Sequence, residues 1–329
     1  MRIGILGATG AVGRQMIQCI EERNLDVEEL RLFASERSLG KTLPFKGEEI
    51  PLRIVEEGCF ENLDYVLGAV SNALSKEYAP MIHKAGAVYI DNSSAFRLED
   101  AVPLVVPEIN GEDALKHEGI IANPNCSTII TLMAVAAIQK ISPIKTMVAS
   151  TYQAVSGAGI GGFGELTSQV QGVLNGKEIE CNVFPKQIAF NCIPMIGSLN
   201  EDGITSEEAK MQNEGRKILH NPNLKVSCTC VRVPVYRSHS ISVSLQCEKA
   251  ITVEEVEAAI QNFEGVEVFK DGFPTPLESS NQDIVYVGRI REDVVFDGGI
   301  TLWCCGDQVR KGAATNAVQI MEYLDTHKV

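Results

Sequence analysis

Residues 4 to 23 read GILGATGAVGRQMIQCIEER: an apolar strand, glycines at 7, 10 and 13, then a helix whose Val12, Met16, Ile17 and Ile20 share one face. Glycines at this spacing permit a tight turn and a close backbone approach to a pyrophosphate, and the helix N-terminus behind them offers N–H donors and positive partial charge. A glycine triplet alone is a weak signal, because any tight turn can use one. As the first strand, turn and helix of an alternating chain it favours dinucleotide binding, with Gly7, Thr9, Gly10, Ala11, Val12 and Gly13 forming the loop.

Outward from that stretch the alternation continues. RIGIL, LRLFA, DYVLGAV, AVYIDNSS, PLVVPEI and GIIANPN are short apolar runs, with helix-compatible segments in several of the gaps. This rhythm predicts an α/β domain of Rossmann type, a parallel sheet covered by helices. After residue 126 the texture changes to TMVASTYQAV, KVSCTCVRVPVY, HSISVSLQCEK, DIVYVGRIRED and ITLWCCGD, which predicts a second, α+β domain with a largely antiparallel sheet. KGAATNAVQIMEYLDTHKV has the spacing of a closing helix that returns to the first domain. The expected division is 1–125 completed by a helix over 310–329, and 126–309.

Composition narrows the partners. The 329 residues are 45% hydrophobic and 22% charged, enough for more than one core. A net charge of −14 argues against nucleic acid and anionic membranes, and no apolar run reaches the roughly 18 residues of a membrane span. The start MRIGILGATG has no signal-peptide pattern. A cytoplasmic chain acting on a small molecule is expected. Its ten cysteines are then reduced thiols, and neither Cys228 with Cys230 nor Cys304 with Cys305 has zinc-site spacing, so no metal is expected.

The tip of the second strand, LFASERSLGK, bears on the choice of dinucleotide. Glu36 could take a ribose 2′-hydroxyl, but Ser35, Arg37 and Ser38 make a better cradle for a 2′-phosphate, which favours NADP.

In IIANPNCSTIITLMAVA, residues 120 to 136, Cys126 stands where an apolar strand gives way to an apolar helix. Pro124 keeps Asn123 extended, and the helix start stabilises an anion, so a thiolate is favoured there. From position alone, a buried cap cysteine and a nucleophile are evenly balanced. A nucleophilic thiol beside a nicotinamide can interconvert an aldehyde and an activated acyl compound through a thioester, and it needs an acid/base. Among five histidines, His239 in VPVYRSHSIS stands apart, at a turn between two β-patterned runs; the other four read as surface residues.

NPNCST, GATGAVG, DNSSAFR (91–97), YQAVSGAG (152–159), EEAK (207–210) and VRVPVYRSH (231–239) together resemble the bacterial aspartate-β-semialdehyde dehydrogenases. The likeness runs on through PTPLE, VGRIRED and RKGAATNAVQI. It implies a second domain like that of glyceraldehyde-3-phosphate dehydrogenase, a homodimer or homotetramer, and NADPH-dependent reduction of 4-phospho-L-aspartate to L-aspartate 4-semialdehyde for lysine, threonine and methionine synthesis. It makes Cys126 the nucleophile, His239 the acid/base and Gln153 the group that orients the thioester. Arg232 would clamp the substrate carboxylate and Glu207 would meet its ammonium, while Arg97, Asn125 and Lys210 would form the phosphate site. Ser71, Ser156, Gly157 and Gln308 would join the cofactor contacts. Taken singly each has an ordinary reading: Arg97 as a surface ion-pair former, Arg232 as a snorkelling strand residue, Glu207 with Lys210 as an i,i+3 helix pair.

Three departures from the family pattern stand out: Ser238 where Gly is common, extra glycines in SGAGIGGFGEL, and Gln308 where Asn is usual. The nearest rival reading is N-acetyl-glutamyl-phosphate reductase, whose acetylated amine would not want a carboxylate partner such as Glu207. A catalytically silent nucleotide-binding paralogue is the other.

Overall fold

The alternating first third folds as its rhythm requires. The computed structural model describes residues 1–270 and 272–327, and the chain separates into two units, 1–125 with 313–329, and 126–312.

In the first unit β1 (Arg2–Leu6) leads through the glycine turn into α1 (Ala11–Glu22), followed by β2 (Glu29–Phe33), β3 (Thr42–Phe45), β4 (Glu48–Arg53) and β5 (Tyr65–Gly68). Then come α2 (Asn72–Lys84), β6 (Val88–Asp91), α3 (Pro107–Asn110) and β7 (Ile120–Ala122). The sheet order is β3-β4-β2-β1-β5-β6-β7, parallel throughout except for the antiparallel β3–β4 hairpin. Strand order reverses between β1 and β5, so the crevice at the carboxyl end of β1 is where such a sheet receives a ligand. Ile3, Ile5, Met16, Ile20, Leu32 and Leu67 are fully buried together beneath it.

One expected strand is absent. PLVVPEI contributes a single bridge, Leu104 to Ala122, and Pro107 starts α3 instead. Proline has no N–H for a ladder and is well suited to a first helical turn. Val105 and Val106 are nevertheless buried, which is what made the run look like a strand.

The second unit opens with α4 (Cys126–Ile141), then β8 (Ile144–Gln153), α5 (Gly159–Leu174), α6 (Ser206–Ile218), β9 (Lys225–Arg232) and β10 (His239–Cys247). It ends with α7 (Val253–Gln261), β11 (Val266–Val268), α8 (Pro276–Ser279), β12 (Val285–Glu292) and β13 (Ile300–Gly306). The sheet order is β11-β12-β13-β10-β8-β9; the β8–β9 and β11–β12 pairs are parallel and the other three antiparallel. Helix α4 is buried over residues 127–138, as a helix apolar all round must be. It lies against β8, β10, β12 and β13 on one side of the sheet and meets α6 and α7.

The closing helix α9 (Thr315–Thr326) belongs to the first unit. Residues 310–314 form a π-turn before it, so the regular helix starts later than position 310. Lys328 and Val329, the end of the expected helix, lie outside the described residues. Its Ala317, Val318, Ile320 and Met321 join the core around β1 and α1. Among the described residues no helix is long and apolar enough to cross a membrane.

Candidate active site

The glycine turn is sterically committed. Gly7 has φ +75°, and a methyl there would meet the Ala69 carbonyl oxygen at 2.3 Å. A methyl on Gly13 would lie 2.3 Å from the Gly7 oxygen and 2.8 Å from Ala8 Cα. Both positions therefore accept only glycine, and Gly10 caps α1 with no side-chain bond, leaving the first turn's N–H groups to face a ligand.

A cavity of about 630 Å³ opens over this turn. Gly7, Thr9 and Gly10 line one end, and Ser35, Glu36 and Arg37 the other, with Val55, Val70, Leu74 and Tyr78 forming an apolar wall. A phosphate-binding turn, a cation beside hydroxyl groups and an apolar wall fit the parts of NADP. Other expected contacts stand outside this lining. Ala11, Val12 and Gly13 lie in the first turn of α1, Val12 packed on the core; Ser38 ends the 3₁₀ turn over Glu36–Ser38. Ser71 caps α2, its hydroxyl accepting from the Leu74 N–H at 3.4 Å.

The first unit also holds Arg97 in a built environment. Asp91, fully buried at the end of β6, accepts from the hydroxyls of Ser75 and Ser93, each at 2.6 Å. That fixes the start of the DNSSAFR loop. Arg97, also buried, donates from Nε to the Asn123 carbonyl at 2.9 Å and from Nη2 to the Asn92 carbonyl at 2.8 Å. The guanidinium is thus held by backbone carbonyls of its own unit. Asn125 is buried at the end of the same unit.

In the second unit sheet topology assembles the rest. Parallel β8 and β9 end together, with Gln153 beside Arg232, and antiparallel β10 starts at the same edge with His239. Cys126 is the first residue of α4. Its Sγ lies 3.4 Å from His239 Nε2.

His239 is completely buried, and its Nδ1 accepts the backbone N–H of Ala154 at 3.1 Å. The neutral ring must then carry its proton on Nε2, facing the thiol. Burial first, and the Arg232 charge second, push the imidazole pKa down to about 3. Gln153 is anchored by Thr151, whose hydroxyl donates to Oε1 at 2.9 Å. Its Nε2 donates to Glu207 Oε1 at 3.1 Å and lies 3.4 Å from His239 Nε2.

Arg232 is buried, and burial lowers its pKa. Its Nη1 donates to the Ala154 carbonyl at 2.6 Å. The i,i+3 pair of Lys210 Nζ with Glu207 Oε2 forms at 2.9 Å, so the ordinary reading of those two residues holds alongside the Gln153 contact. Gly157 sits under the site, where a methyl would reach Arg232 Nη1 at 2.8 Å. Ser156 and Gln308 are joined, the Gln308 amide donating to the Ser156 hydroxyl.

Sequence reasoning missed Ala154, whose N–H fixes the histidine and whose carbonyl holds the arginine. Only backbone atoms act there, and no side chain announces them. It also missed Gly312, where a methyl would press on Cys126 Cβ at 3.1 Å.

A dinucleotide cavity and a thiol paired with a buried imidazole are the two halves expected of an acyl-reducing enzyme, and comparison with known proteins agrees. Residues 2–117 match the family described as semialdehyde dehydrogenase, NAD binding domain, and residues 135–311 the one described as semialdehyde dehydrogenase, dimerisation domain. The aspartate-semialdehyde dehydrogenase of Aquifex aeolicus is 49% identical over 331 residues, covering 98% of this chain and 97% of the relative. The chain belongs to the aspartate-semialdehyde dehydrogenase family.

It is thus an oxidoreductase with a Rossmann-type dinucleotide-binding domain and a dimerisation domain, and the acetyl-glutamyl-phosphate alternative is not favoured. The crystal structure of aspartate semialdehyde dehydrogenase II from Vibrio cholerae, complexed with ASA, superposes with a TM-score of 0.98 at 44% identity, covering 100% of this chain and 99% of that one. A Candida albicans aspartate semialdehyde dehydrogenase with NADP superposes at 0.78 with 25% identity, covering 98% of each chain.

Proposed function

We propose that the chain carries out NADPH-dependent reductive dephosphorylation of 4-phospho-L-aspartate to L-aspartate 4-semialdehyde, in the cytoplasm and as a homodimer or dimer of dimers. The observation that carries this reading is the 3.4 Å approach of Cys126 Sγ to His239 Nε2, with buried Arg232 beside Gln153 at the strand ends and buried Glu207 accepting from Gln153. An amino acid with an activated side-chain acyl group needs a thiol, a carboxylate clamp and an ammonium partner, and this set supplies all three.

In this scheme the Cys126 thiolate attacks the acyl carbon, the C–O bond to phosphate breaks, and a thioester forms on the cysteine. To the leaving phosphate we assign Arg97, Asn125 and Lys210. Gln153 holds the thioester carbonyl, supported by its locked amide. NADPH held by Gly7, Thr9 and Gly10 at its pyrophosphate and by Ser35 and Arg37 at its 2′-phosphate would supply the hydride. We assign His239 the acid/base place: its Nε2–H hydrogen-bonds the sulfur of the tetrahedral adduct, so that as the C–S bond breaks and the carbonyl re-forms the sulfur leaves as a hydrogen-bonded thiolate, the same form that attacks at the start. Arg232 offers a planar fork to the α-carboxylate. Residues 1–125 with the closing helix would serve the cofactor, and 126–309 catalysis and dimerisation.

The reverse reaction gives the test. Reduction of NADP by L-aspartate 4-semialdehyde should require phosphate and be absent with N-acetyl-glutamate 5-semialdehyde. Phosphate-independent oxidation, or preference for the acetylated aldehyde, would overturn the reading.

A further inference from the structure

Gln308 and Ser238, the two single-residue departures singled out in the sequence, meet in the structure. Ser238 is fully buried with φ +73°, a backbone conformation unfavourable for a side-chain-bearing residue. Its N–H donates to Gln308 Oε1 at 2.8 Å, and its hydroxyl pairs with that of Ser280 at 3.0 Å. The other end of the same amide, Gln308 Nε2, donates to the Ser156 hydroxyl. Gln308 and Ser156 are both buried, so these bonds have no water to compete with them.

Each end of this bridge leads to the chemistry. Ser238 immediately precedes His239. Ser156 lies in the turn Val155–Ala158, two residues after Ala154, which holds both the His239 ring and Arg232. The base of the bridge is fixed as well. Asp307 is fully buried, and its carboxylate accepts from Arg237 Nε at 2.5 Å and from the backbone N–H groups of Asn281, Val309 and Arg310. Consecutive residues 307 and 308 thereby grip consecutive residues 237 and 238.

The geometry points to Gln308 as a positioning residue, whose single amide clamps the strained residue before His239 to the turn beneath Arg232 and so sets the imidazole and guanidinium relative to each other. The inference rests on the roles proposed above for His239 and Arg232, and it differs from a plain cofactor contact for Gln308. A primary amide accepts at one end and donates at the other. Glutamate loses the donor, and asparagine is one methylene too short to hold both partners where they stand.

The test separates positioning from cofactor binding. Gln308→Asn, Gln308→Ala, Ser156→Ala and the Ser156→Ala/Gln308→Ala double variant are compared for kcat, KM for L-aspartate 4-semialdehyde, and NADPH Kd by fluorescence titration. Ser156→Ala removes one hydroxyl and keeps the test open if Gln308 variants do not fold. Expected are a fall of about tenfold in kcat/KM for Gln308→Ala and for Ser156→Ala, NADPH Kd within about twofold of the parent protein, and a double variant no worse than Gln308→Ala alone. A weakened NADPH Kd with unchanged kcat would make Gln308 a cofactor contact and overturn the proposal, as would additive effects in the double variant or no effect on any parameter. Failure of the underlying reading would show differently, as a His239→Ala variant with full activity.

Discussion

The Ala154 N–H donates to Nδ1 of His239 at 3.1 Å, and this one bond fixes which nitrogen faces Cys126. With Nδ1 occupied as an acceptor, a second ring proton would have to displace a backbone donor in a fully buried site. Burial and Arg232 oppose the cation further, Glu207 only partly favours it, and the pKa falls to about 3.

A group whose folded pKa lies below its unfolded value of about 6.5 contributes stability above pH 6.5 that is lost as pH falls toward 3. His239 should therefore steepen the loss of stability on acidification, by at most about 1.4 kcal/mol per pH unit. Urea unfolding of the parent protein and of His239→Asn between pH 7 and 5 measures the difference in slope. Equal slopes would mean that the imidazole protonates in place, and that the Ala154 bond does not hold its tautomer.

Cys126→Ser should lower turnover by about a thousandfold or more, since a serine hydroxyl lacks the acidity of a thiol and the neutral imidazole beside it is a poor base. The first unit, with its cavity at Gly7 to Arg37, is unchanged by this substitution, so NADPH binding should persist. Stopped-flow turnover together with an NADPH titration checks both halves. Retained turnover would move the nucleophile elsewhere.

Gly157→Ala tests the carboxylate clamp. Gly157 does not have positive φ, so the backbone accepts alanine, yet the new methyl would sit 2.8 Å from Arg232 Nη1. The guanidinium has to move, and it already spends one N–H on the Ala154 carbonyl. KM for the semialdehyde should rise about tenfold or more with a smaller change in kcat. Unchanged KM would argue that Arg232 does not touch the substrate.

How much of this was legible depended on whether side chains or backbone did the work. Strands β1, β2, β5 and β6 and the helix at Cys126 carry their patterns openly, because burial on one face or on all faces selects the residue types. The β3–β4 hairpin was invisible. TLPFKGEEIPLR has a proline in each strand, which suits edge strands and reads against central ones, and its turn relies on Lys46 and Gly47 at φ +49° and +82°. PLVVPEI failed the other way, since buried apolar runs look alike whether or not they pair. In the site, thiol, imidazole and guanidinium could be named from the sequence. The Ala154 pivot and the Ser238–Gln308 bond could not, because each joins a backbone N–H to a side chain 70 or more residues away in sequence.

The glycine turn makes a graded prediction. A methyl on Gly13 meets backbone at 2.3 and 2.8 Å, whereas one on Gly10 meets only the Gly7 oxygen at 3.3 Å. Gly13→Ala should cost about 2–3 kcal/mol of stability through overpacking against backbone that cannot yield. Gly10→Ala should leave stability nearly intact and weaken NADPH instead, because its methyl points into a turn that lines the cavity. Thermal unfolding and NADPH titration separate the two; equal melting points would show that α1 shifts to make room.

Arg37 offers the last test, of cofactor choice. It lines the end of the cavity with Ser35 and Glu36, so a cation, a hydroxyl and a carboxylate compete over the same ribose. If the guanidinium reads a 2′-phosphate, Arg37→Ala should raise KM for NADPH by about tenfold or more, the worth of one charge-assisted hydrogen bond, and leave KM for NADH unchanged. Glu36→Ala should act in the opposite sense, removing like-charge repulsion and lowering KM for NADPH. Parallel loss of NADPH and NADH in Arg37→Ala would assign the arginine to the shared part of the dinucleotide and leave the 2′-phosphate to Ser35.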